Sequence, residues 1–441
     1  MSKQNSPLVL GTERISKLLT QYAIPAIIAM TASSLYNMAD SIFIGHGVGP
    51  LAISGLALTF PLMNLAAAFG SLVGVGASTL VSVKLGQKDY EGANKVLGNV
   101  LVLNVVLGLA FTLVFMLLLD PILYFFGASE NTISYARDYM NVILIGNVIT
   151  HMYLGLNAVL RSSGFPKLAM YATLASVVIN CVLNPLFIFG FGWGIKGSAW
   201  ATVISQVISL TGQLIHFSRP KELLHFKKGI YRLKSEIVKG ILYIGMSPFL
   251  MNLCACLIVI LINRGLKEHG GDMAIGAYGI VNRVVFLFIM IIMGFNQGMQ
   301  PIAGYNFGAR QYSRVTEVTK LTMKWAIGVA TTGFLLCQLF PSVIVRMFTT
   351  DPELIEAAVY GLHIVFAVFP IVGFQMVATN FFLSIGMSKK AQMLFLVPCL
   401  LILPRWFGTL GVWISIPIAD TTATIVTALV LINQFRKFHS K

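Results

Sequence analysis

Long apolar runs separated by short polar segments cover almost the whole chain. Two examples are Val100–Leu119 and Val284–Gly294, which are apolar at nearly every position rather than at alternate positions. A transmembrane helix needs about 20 such residues, whereas a membrane β-strand needs about 10 residues of alternating polarity. The runs therefore predict membrane-spanning helices.

Gly, Pro and charged residues interrupt the apolar runs often enough to predict twelve spans. Their approximate bounds are 17–46, 51–85, 94–119, 132–160, 167–189, 194–217, 240–264, 273–306, 315–345, 353–385, 390–407 and 411–435. A basic stretch separates the sixth span from the seventh. We therefore expect an N-terminal six-helix lobe over 1–217, a cytoplasmic linker over 218–239 and a C-terminal six-helix lobe over 240–441.

Composition excludes a conventional soluble enzyme. Of the 441 residues, 56% are hydrophobic and only 11% are charged, against about 25% charged in an ordinary soluble domain. The mean hydropathy is +0.81. We expect a polytopic protein in a lipid bilayer, without a cleavable signal peptide, and five free cysteines because all five lie in apolar runs.

The basic residues indicate the orientation. Most of the Lys and Arg lie at alternate loops and in the linker, including Lys84, Lys88, Arg161, Lys227 and Lys228. Cytoplasmic loops carry such an excess, so both termini are expected in the cytoplasm. This placement also explains the net charge of +15 without a nucleic-acid partner.

An internal repeat recurs at an offset of 222 residues. Two separate loops carry it, with the matches Gly86/Gly308, Tyr90/Tyr312, Val96/Val318, Ser162/Ser384, Gly164/Gly386 and Lys167/Lys389. Each half contains an even number of spans, so the halves point the same way through the membrane. We expect two six-helix bundles related by a pseudo-two-fold axis along the membrane normal, a layout typical of transporters.

Asp40 is one of two acidic residues that fall well inside a predicted span. Tyr36 and Asn37 precede it by four and three residues and share its helix face. Asn180 and Asn184 of the fifth span, and Thr202 of the sixth, lie about 9 to 15 Å from the same membrane surface, as Asp40 does. These oxygens could bind a small cation such as Na⁺, or hold a carboxyl whose proton affinity burial tunes. They could instead be hydrogen-bonded packing contacts between helices.

The second acid in a predicted span is Asp420, which follows Pro417. It could be a second coupling acid, pair with Arg283, or cap a helix broken at Pro417. Arg283 is the one deeply placed cation, and it could instead line a cavity. Substrate contacts are predicted at the flexible or polar residues of the eighth span, which are Met290, Met293, Gln297 and Gln300. His151 and His363 could relay protons or be packing residues.

No catalytic motif is present. The sequence has no Walker A loop, no HExxH pair and no zinc-ligand spacing, so neither an ATP-driven motor nor an integral-membrane enzyme is favoured.

The chain resembles the MATE (multidrug and toxic compound extrusion) family over nearly its whole length. The resemblance rests on Tyr36-Asn37-Met38-Ala39-Asp40, Leu160-Arg161-Ser162-Ser163-Gly164, Asn180 with Asn184-Pro185, Gly197-Ser198-Ala199-Trp200-Ala201-Thr202 and the loops at Gly86 and Gly308. The stretch Gly304-Tyr305-Asn306-Phe307-Gly308-Ala309 resembles the bacterial MepA-like branch.

This resemblance implies twelve helices in two bundles and efflux driven by Na⁺ or H⁺ antiport, in the inner membrane of a bacterium. It implies that Asp40, Asn180, Asn184 and Thr202 form the cation site, with Na⁺ as the metal if coupling is to sodium. It also implies that the first span bends at Pro25. The seventh span lacks the acid that some members carry there.

Three hypotheses follow. The favoured one is an antiporter that exports amphipathic, often cationic drugs, acting as a monomer without a bound cofactor. The alternative is a lipid-linked saccharide flippase, which would need several inward Arg or Lys, whereas only Arg283 is placed deeply. The third, a membrane enzyme, lacks paired acids or a metal cluster.

Overall fold

The structure, a computed structural model, describes residues 7–126, 128–348, 352–387 and 396–439. Every regular element in these residues is helical: a short 3₁₀ helix Pro7–Gly11, α1 (Ile15–Gly47), α2 (Pro50–Gly86), α3 (Tyr90–Leu117), α4 (Leu119–Phe125), α5 (Ile133–Ile145), α6 (Asn147–Ser162), α7 (Pro166–Pro185), a π turn Leu186–Gly190, α8 (Gly194–Phe217), α9 (Ser235–Gly308), α10 (Tyr312–Leu339), α11 (Pro341–Arg346), α12 (Pro352–Phe366), α13 (Phe369–Ser384) and α14 (Leu396–His439).

The helices account for the predicted spans. Among the described residues, seven helices are long and apolar enough to cross a membrane, and nine if the bent pairs α5–α6 and α12–α13 each form one span. Twelve result when α8 and α10 are counted and α14 is divided at Gly408, where the backbone leaves helical geometry with φ 58°. The all-α polytopic fold is confirmed.

α9 differs from the prediction. It contains two apolar candidate spans, Ser235–Cys254 and Ala277–Gly308, as expected. The polar segment between them was predicted to be a loop, yet the structure assigns it as helix. Lys267 and Glu268 in this segment are good helix formers, so polarity alone does not end the helix there.

The repeat recurs in the ends of the helices. α2 ends at Gly86 and α9 at Gly308, and the helices that follow begin at Tyr90 and Tyr312. α6 and α13 end at the repeat partners Ser162 and Ser384. The pairs α5–α6 and α12–α13 bend by 55° and 52°. Both halves therefore carry the same succession of helix ends and bends at the same offset.

Two compact units are present. The first comprises Met1–Thr12 and Ile28–Leu253, and the second comprises Glu13–Ile27 and Cys254–Lys441. The start of α1 thus belongs to the second unit and the start of α9 to the first. Pro25 lies inside α1, three residues before Ile28, where the helix passes from one unit to the other. The predicted lobe bounds divide the chain by its repeat and stay a prediction.

Helices of the first unit pack closely through glycines. Gly74 of α2 faces Gly155 of α6, where an added Cβ would lie 3.3 Å from Cα of Gly155. Gly245 of α9 lies so near α2 that a Cβ there would overlap the carbonyl oxygen of Leu72. Small residues of this kind let helix backbones approach each other in a membrane protein.

The linker between α8 and α9 is fixed to α3 by two buried asparagines. Asn94 donates to the carbonyl oxygen of Leu223 at 3.2 Å and accepts from the backbone N–H of His225 at 3.0 Å. Asn99 donates to the carbonyl oxygen of Ile230 and accepts from the N–H of Lys234 at 3.1 Å. The linker therefore follows one defined path across the end of the first unit.

Candidate functional site

Asp40 meets two other helices inside the first unit. It lies near the end of α1 with 6% of its surface exposed. Nδ2 of Asn184 on α7 donates to its Oδ1 at 2.5 Å, and the hydroxyl of Ser198 on α8 donates to the same oxygen. Two donors on one oxygen stabilise negative charge there. Asp40 forms no ion pair with a described Lys or Arg side chain.

One helical turn away, a second set of polar groups joins the same three helices. The hydroxyl of Tyr36 lies 2.7 Å from that of Thr202, and Nδ2 of Asn180 lies 3.1 Å from the Thr202 hydroxyl. Residues four apart lie on one helix face, so Tyr36 with Asp40 and Asn180 with Asn184 form two adjacent rows. The four-residue spacing within each pair therefore places the Tyr36–Asn180–Thr202 set next to Asp40 and Asn184.

The hydrogen-bond directions can be assigned within this network. Thr202 donates its hydroxyl hydrogen to the carbonyl oxygen of Ser198 at 3.2 Å, so Tyr36 donates to Thr202. Asn184 donates to Oδ1 of Asn180 at 3.4 Å as well as to Asp40. Its own Oδ1 is buried and has no hydrogen-bond partner among the described residues. A carboxylate beside an unpartnered amide oxygen suits a group that brings positive charge or a donor hydrogen.

A cavity of about 180 Å³ adjoins this network in the first unit. Nine of its eleven lining residues carry a hydroxyl or amide group, and none of the lining residues is charged at neutral pH. The lining residues are Ser33, Tyr36, Tyr153, Leu154, Thr173, Ser176, Val177, Asn180, Thr202, Ser205 and Gln206. Tyr36, Asn180 and Thr202 therefore belong both to the Asp40 network and to the wall of this cavity.

The structure places five of the six predicted coupling residues together: Tyr36, Asp40, Asn180, Asn184 and Thr202. The side chain of Asn37 lies outside the described residues. Ser198 was not predicted, although it contacts Asp40 directly. Its position four residues before Thr202 on α8 places it on the same face and could have revealed it.

The predicted residues of the other half belong to the second unit and are not part of the Asp40 network. Met290 and Gln297 are partly exposed on α9, Met293 and Arg283 are exposed, and Gln300 is buried. Asp420 is partly exposed on α14. Within the described part of the chain, no ion pair joins Asp420 to Arg283. Their roles stay predictions.

Both candidate relay histidines make hydrogen bonds typical of packing residues. Nε2 of His151 lies 3.1 Å from the carbonyl oxygen of Ala66. Nδ1 of His363 lies 2.7 Å from Oε1 of Gln338. Within the described ranges, neither of these hydrogen bonds involves a residue of the Asp40 network.

Comparison with known proteins gives a consistent result. The family model MatE matches residues 25–186 and 244–404, one segment in each half of the repeat. The Multidrug export protein MepA of Staphylococcus aureus (strain N315) is 29% identical over 427 residues, covering 95% of this chain and 93% of its own length.

Solved structures agree with this match. One, described as the MATE multidrug transporter DinF-BH, is 37% identical with full coverage of both chains and a TM-score of 0.91. Another, an outward-facing multidrug resistance MATE family transporter, is 24% identical with full coverage and a TM-score of 0.92. The second likeness concerns the fold alone.

Proposed function

Because the chain belongs to the MatE family of membrane transporters, we propose that it exports amphipathic, often cationic compounds from the cytoplasm in exchange for Na⁺ or H⁺. The similarity to multidrug export proteins supports the substrate class. The absence of a Walker A motif from the sequence supports an ion gradient as the energy source.

The observation that carries the coupling proposal is the convergence of Asn184 and Ser198 on Asp40. A carboxylate this buried is costly unless it is compensated, so a charged group at this depth is a functional candidate. Here the compensation comes from two hydrogen bonds and not from a fixed cation. A proton can therefore bind Asp40, or Na⁺ can bind it together with the amide oxygen of Asn184.

The exchange cycle follows from this site. With the cavity open to the outside, a cation or proton binds at Asp40 and alters its bonds to α7 and α8. α1 then bends near Pro25, where the missing N–H removes one helical hydrogen bond. Drug leaves, and the protein opens inward and releases the ion. Ion and drug must each bind the two states with different affinity, since otherwise no net transport results.

Residues of the second unit complete the proposal. Met290, Met293, Gln297 and Gln300 on α9 contribute a flexible surface for varied substrates. Arg283 and Asp420 adjust the charge of that surface. These assignments rest on side-chain chemistry and on their common placement in the second unit.

We further propose that the protein lies in the bacterial inner membrane as a monomer with both termini in the cytoplasm. The basic linker and loops support this orientation. No nucleic acid or permanently bound cofactor takes part. The flippase alternative is disfavoured, because the MepA relative is a multidrug export protein and DinF-BH is a multidrug transporter.

Drug efflux from cells that produce Asp40→Asn tests the coupling role. This variant keeps the size of the side chain and removes its charge, so gradient-driven efflux should be lost at normal expression. Wild-type efflux would refute the proposal. Proteoliposomes with separately imposed Na⁺ and pH gradients then identify the coupling ion.

A further inference from the structure

α8 carries a continuous buried polar column along its whole length. The residues of this column follow at intervals of three or four and are Ser198, Thr202, Ser205, Ser209, Gln213 and His216. All are at most 8% exposed. From Ser198 to His216 the rise is about 27 Å, close to the full hydrocarbon thickness of a bilayer. The column therefore crosses nearly the whole membrane inside the first unit.

In the half of the column nearer the linker, from Ser209 to His216, several buried polar atoms have no hydrogen-bond partner among the described residues. Thr202 and Ser205 donate to backbone carbonyl oxygens of their own helix. In contrast, the Ser209 hydroxyl, both polar atoms of the Gln213 amide and Nε2 of His216 are buried without a hydrogen-bond partner among the described residues. Burying a polar group without a hydrogen-bond partner destabilises a protein, so such a row is expected to be hydrated.

The column connects two features already described. At the end of the column nearer the start of α8, the Ser198 hydroxyl donates to Asp40. In the middle of the column, Thr202 and Ser205 line the cavity of about 180 Å³. The column thus extends from the proposed coupling site through the cavity to the end of α8 that precedes the linker.

At the linker end the column meets proton-exchanging groups. The His216 ring packs against Phe165 at 4.5 Å and Phe217 at 5.3 Å between centroids. The charged side chains of Glu222 and Arg219 in the linker interact electrostatically with the His216 ring. Oε2 of Glu222 is itself buried without a hydrogen-bond partner within the described ranges.

A competing route along α6 and α7 is disfavoured by charge. The cavity also reaches Tyr153 and Thr173, and Nδ2 of Asn157 lies 3.3 Å from the Thr173 hydroxyl. Beyond Asn157 stands Arg161, whose guanidinium donates to Oδ1 of Asn157. The positive charge of Arg161 lies directly on that route and repels a proton. The α8 column itself is formally neutral, and at its end the charge of Arg219 is accompanied by the Glu222 carboxylate.

We propose that the α8 column is the path by which the coupling proton leaves Asp40 for the cytoplasm. This inference rests on the proposed function. The proton on the Asp40 carboxyl passes by way of the Ser198 and Thr202 hydroxyls to water in the cavity, and then along hydroxyl groups and water beside Ser209 and Gln213. It is accepted at the Glu222 carboxylate and released to bulk solvent, and Asp40 returns to its carboxylate form.

The donor set favours a proton over Na⁺. Na⁺ would need several hard oxygens at once along the route, whereas Ser209, Gln213 and His216 are staggered along the helix. The imidazole of His216 is also a poor ligand for such a hard cation.

Accessibility to water tests the path directly. In proteoliposomes, Ser209→Cys is treated from the cytoplasmic side with 2-aminoethyl methanethiosulfonate and labelling is followed by mass spectrometry. Thr211→Cys, on the exposed face of the same helix, is the matched control. Because the hydrated thiolate is the reactive form, labelling should be at least about tenfold faster at position 209. Equal rates would overturn the path.

Transport assays test whether the coupling proton uses the α8 column. Gln213→Leu keeps the size of the side chain and removes its polar atoms, and Ser209→Ala is a smaller change in case the first variant folds poorly. Both should slow proton-driven drug exchange about tenfold, or 1.4 kcal/mol, with unchanged drug affinity. Thr211→Val should behave as wild type. If Asp40→Asn abolishes coupling while both column variants exchange normally, the proposed function stands and the path fails. Transport driven by Na⁺ alone would also overturn it.

Discussion

The hydroxyl of Tyr36 on α1 lies 2.7 Å from the hydroxyl of Thr202 on α8. One turn further along α1, Asp40 accepts a hydrogen bond from Ser198, which lies one turn earlier on α8. The two helices therefore meet in antiparallel register through two connections. The hydroxyl pair carries no formal charge, whereas the carboxylate connection depends on the state of Asp40. In the proposed cycle, ion binding would therefore alter the carboxylate connection and leave the hydroxyl connection to hold the register.

Ser198→Ala should weaken coupling without unfolding the site. It removes one of the two donors to Oδ1 of Asp40, and a hydrogen bond to a charged group contributes about 1.5–3 kcal/mol, so ion-driven efflux should fall at least about tenfold. Ser198→Thr retains a hydroxyl and should restore most of the efflux. Proteoliposome transport at a fixed gradient measures both. Equal loss in the two variants would show that the hydroxyl is not responsible.

Gly245→Ala should destabilise the protein. A Cβ at this position overlaps the carbonyl oxygen of Leu72, a backbone atom that can move only with α2. Overpacking of this kind costs about 1–3 kcal/mol. Gly212→Ala is the matched control, because a Cβ there meets nothing within 4 Å. Thermal unfolding in detergent should show a lower Tm for the first variant only, and a shared decrease would contradict the close helix approach.

Asp89 should stabilise the start of α3 only while its carboxyl is ionised, and this stabilisation should be lost in strong acid. The side chain accepts from Lys84 Nζ at 2.7 Å and from the N–H of Gly92 at 2.8 Å, and these bonds hold the pKa of its carboxyl below the usual value. A lowered folded pKa gives stability that is present above the unfolded pKa of about 3.9 and is lost as the pH falls through the folded value.

The comparison of wild type with Asp89→Asn checks this. The pair is partly exposed, so the difference at pH 7 should be below about 1 kcal/mol. It should begin to shrink near pH 4 and vanish only below the folded pKa of Asp89. In a Lys84→Met background the difference should shrink. A difference that does not change with pH would show that the capping amide, rather than the charge, matters.

Replacement of Lys88 or Arg310 by glycine should stabilise the folded protein. They are repeat partners and have φ of 62° and 58°, in the left-handed region that costs a non-glycine residue about 1–2 kcal/mol. Gln87→Gly is the control, since Gln87 has φ −75° and should lose stability. Melting temperatures of the three variants decide the matter. A decrease in all three would indicate that the side chains of Lys88 and Arg310 make stabilising contacts.

The sequence was sufficient for the features that follow from local spacing. The offset between Gly86 and Gly308 predicted matching helix ends, and the spacing of Tyr36 and Asp40 predicted a shared face. Ser198 was missed because one serine in an apolar helix is usually a packing residue. Its spacing from Thr202 indicates a shared face, but its contact with Asp40 follows only from the fold. The column toward His216 was missed for the same reason, because burial of a polar row depends on tertiary contacts.

The attachment of the linker has a consequence for proteolysis. Asn94 and Asn99 bind its main chain, so they hold the segment whatever side chains it carries. A stretch with Lys221, Lys227, Lys228 and Arg232 would be a preferred trypsin site if it were loose. Cleavage requires an extended, detached backbone, and here the backbone is already hydrogen-bonded to buried amides. Trypsin should therefore cut this segment slowly in the native protein, and rapidly once Asn94 and Asn99 are both replaced by alanine.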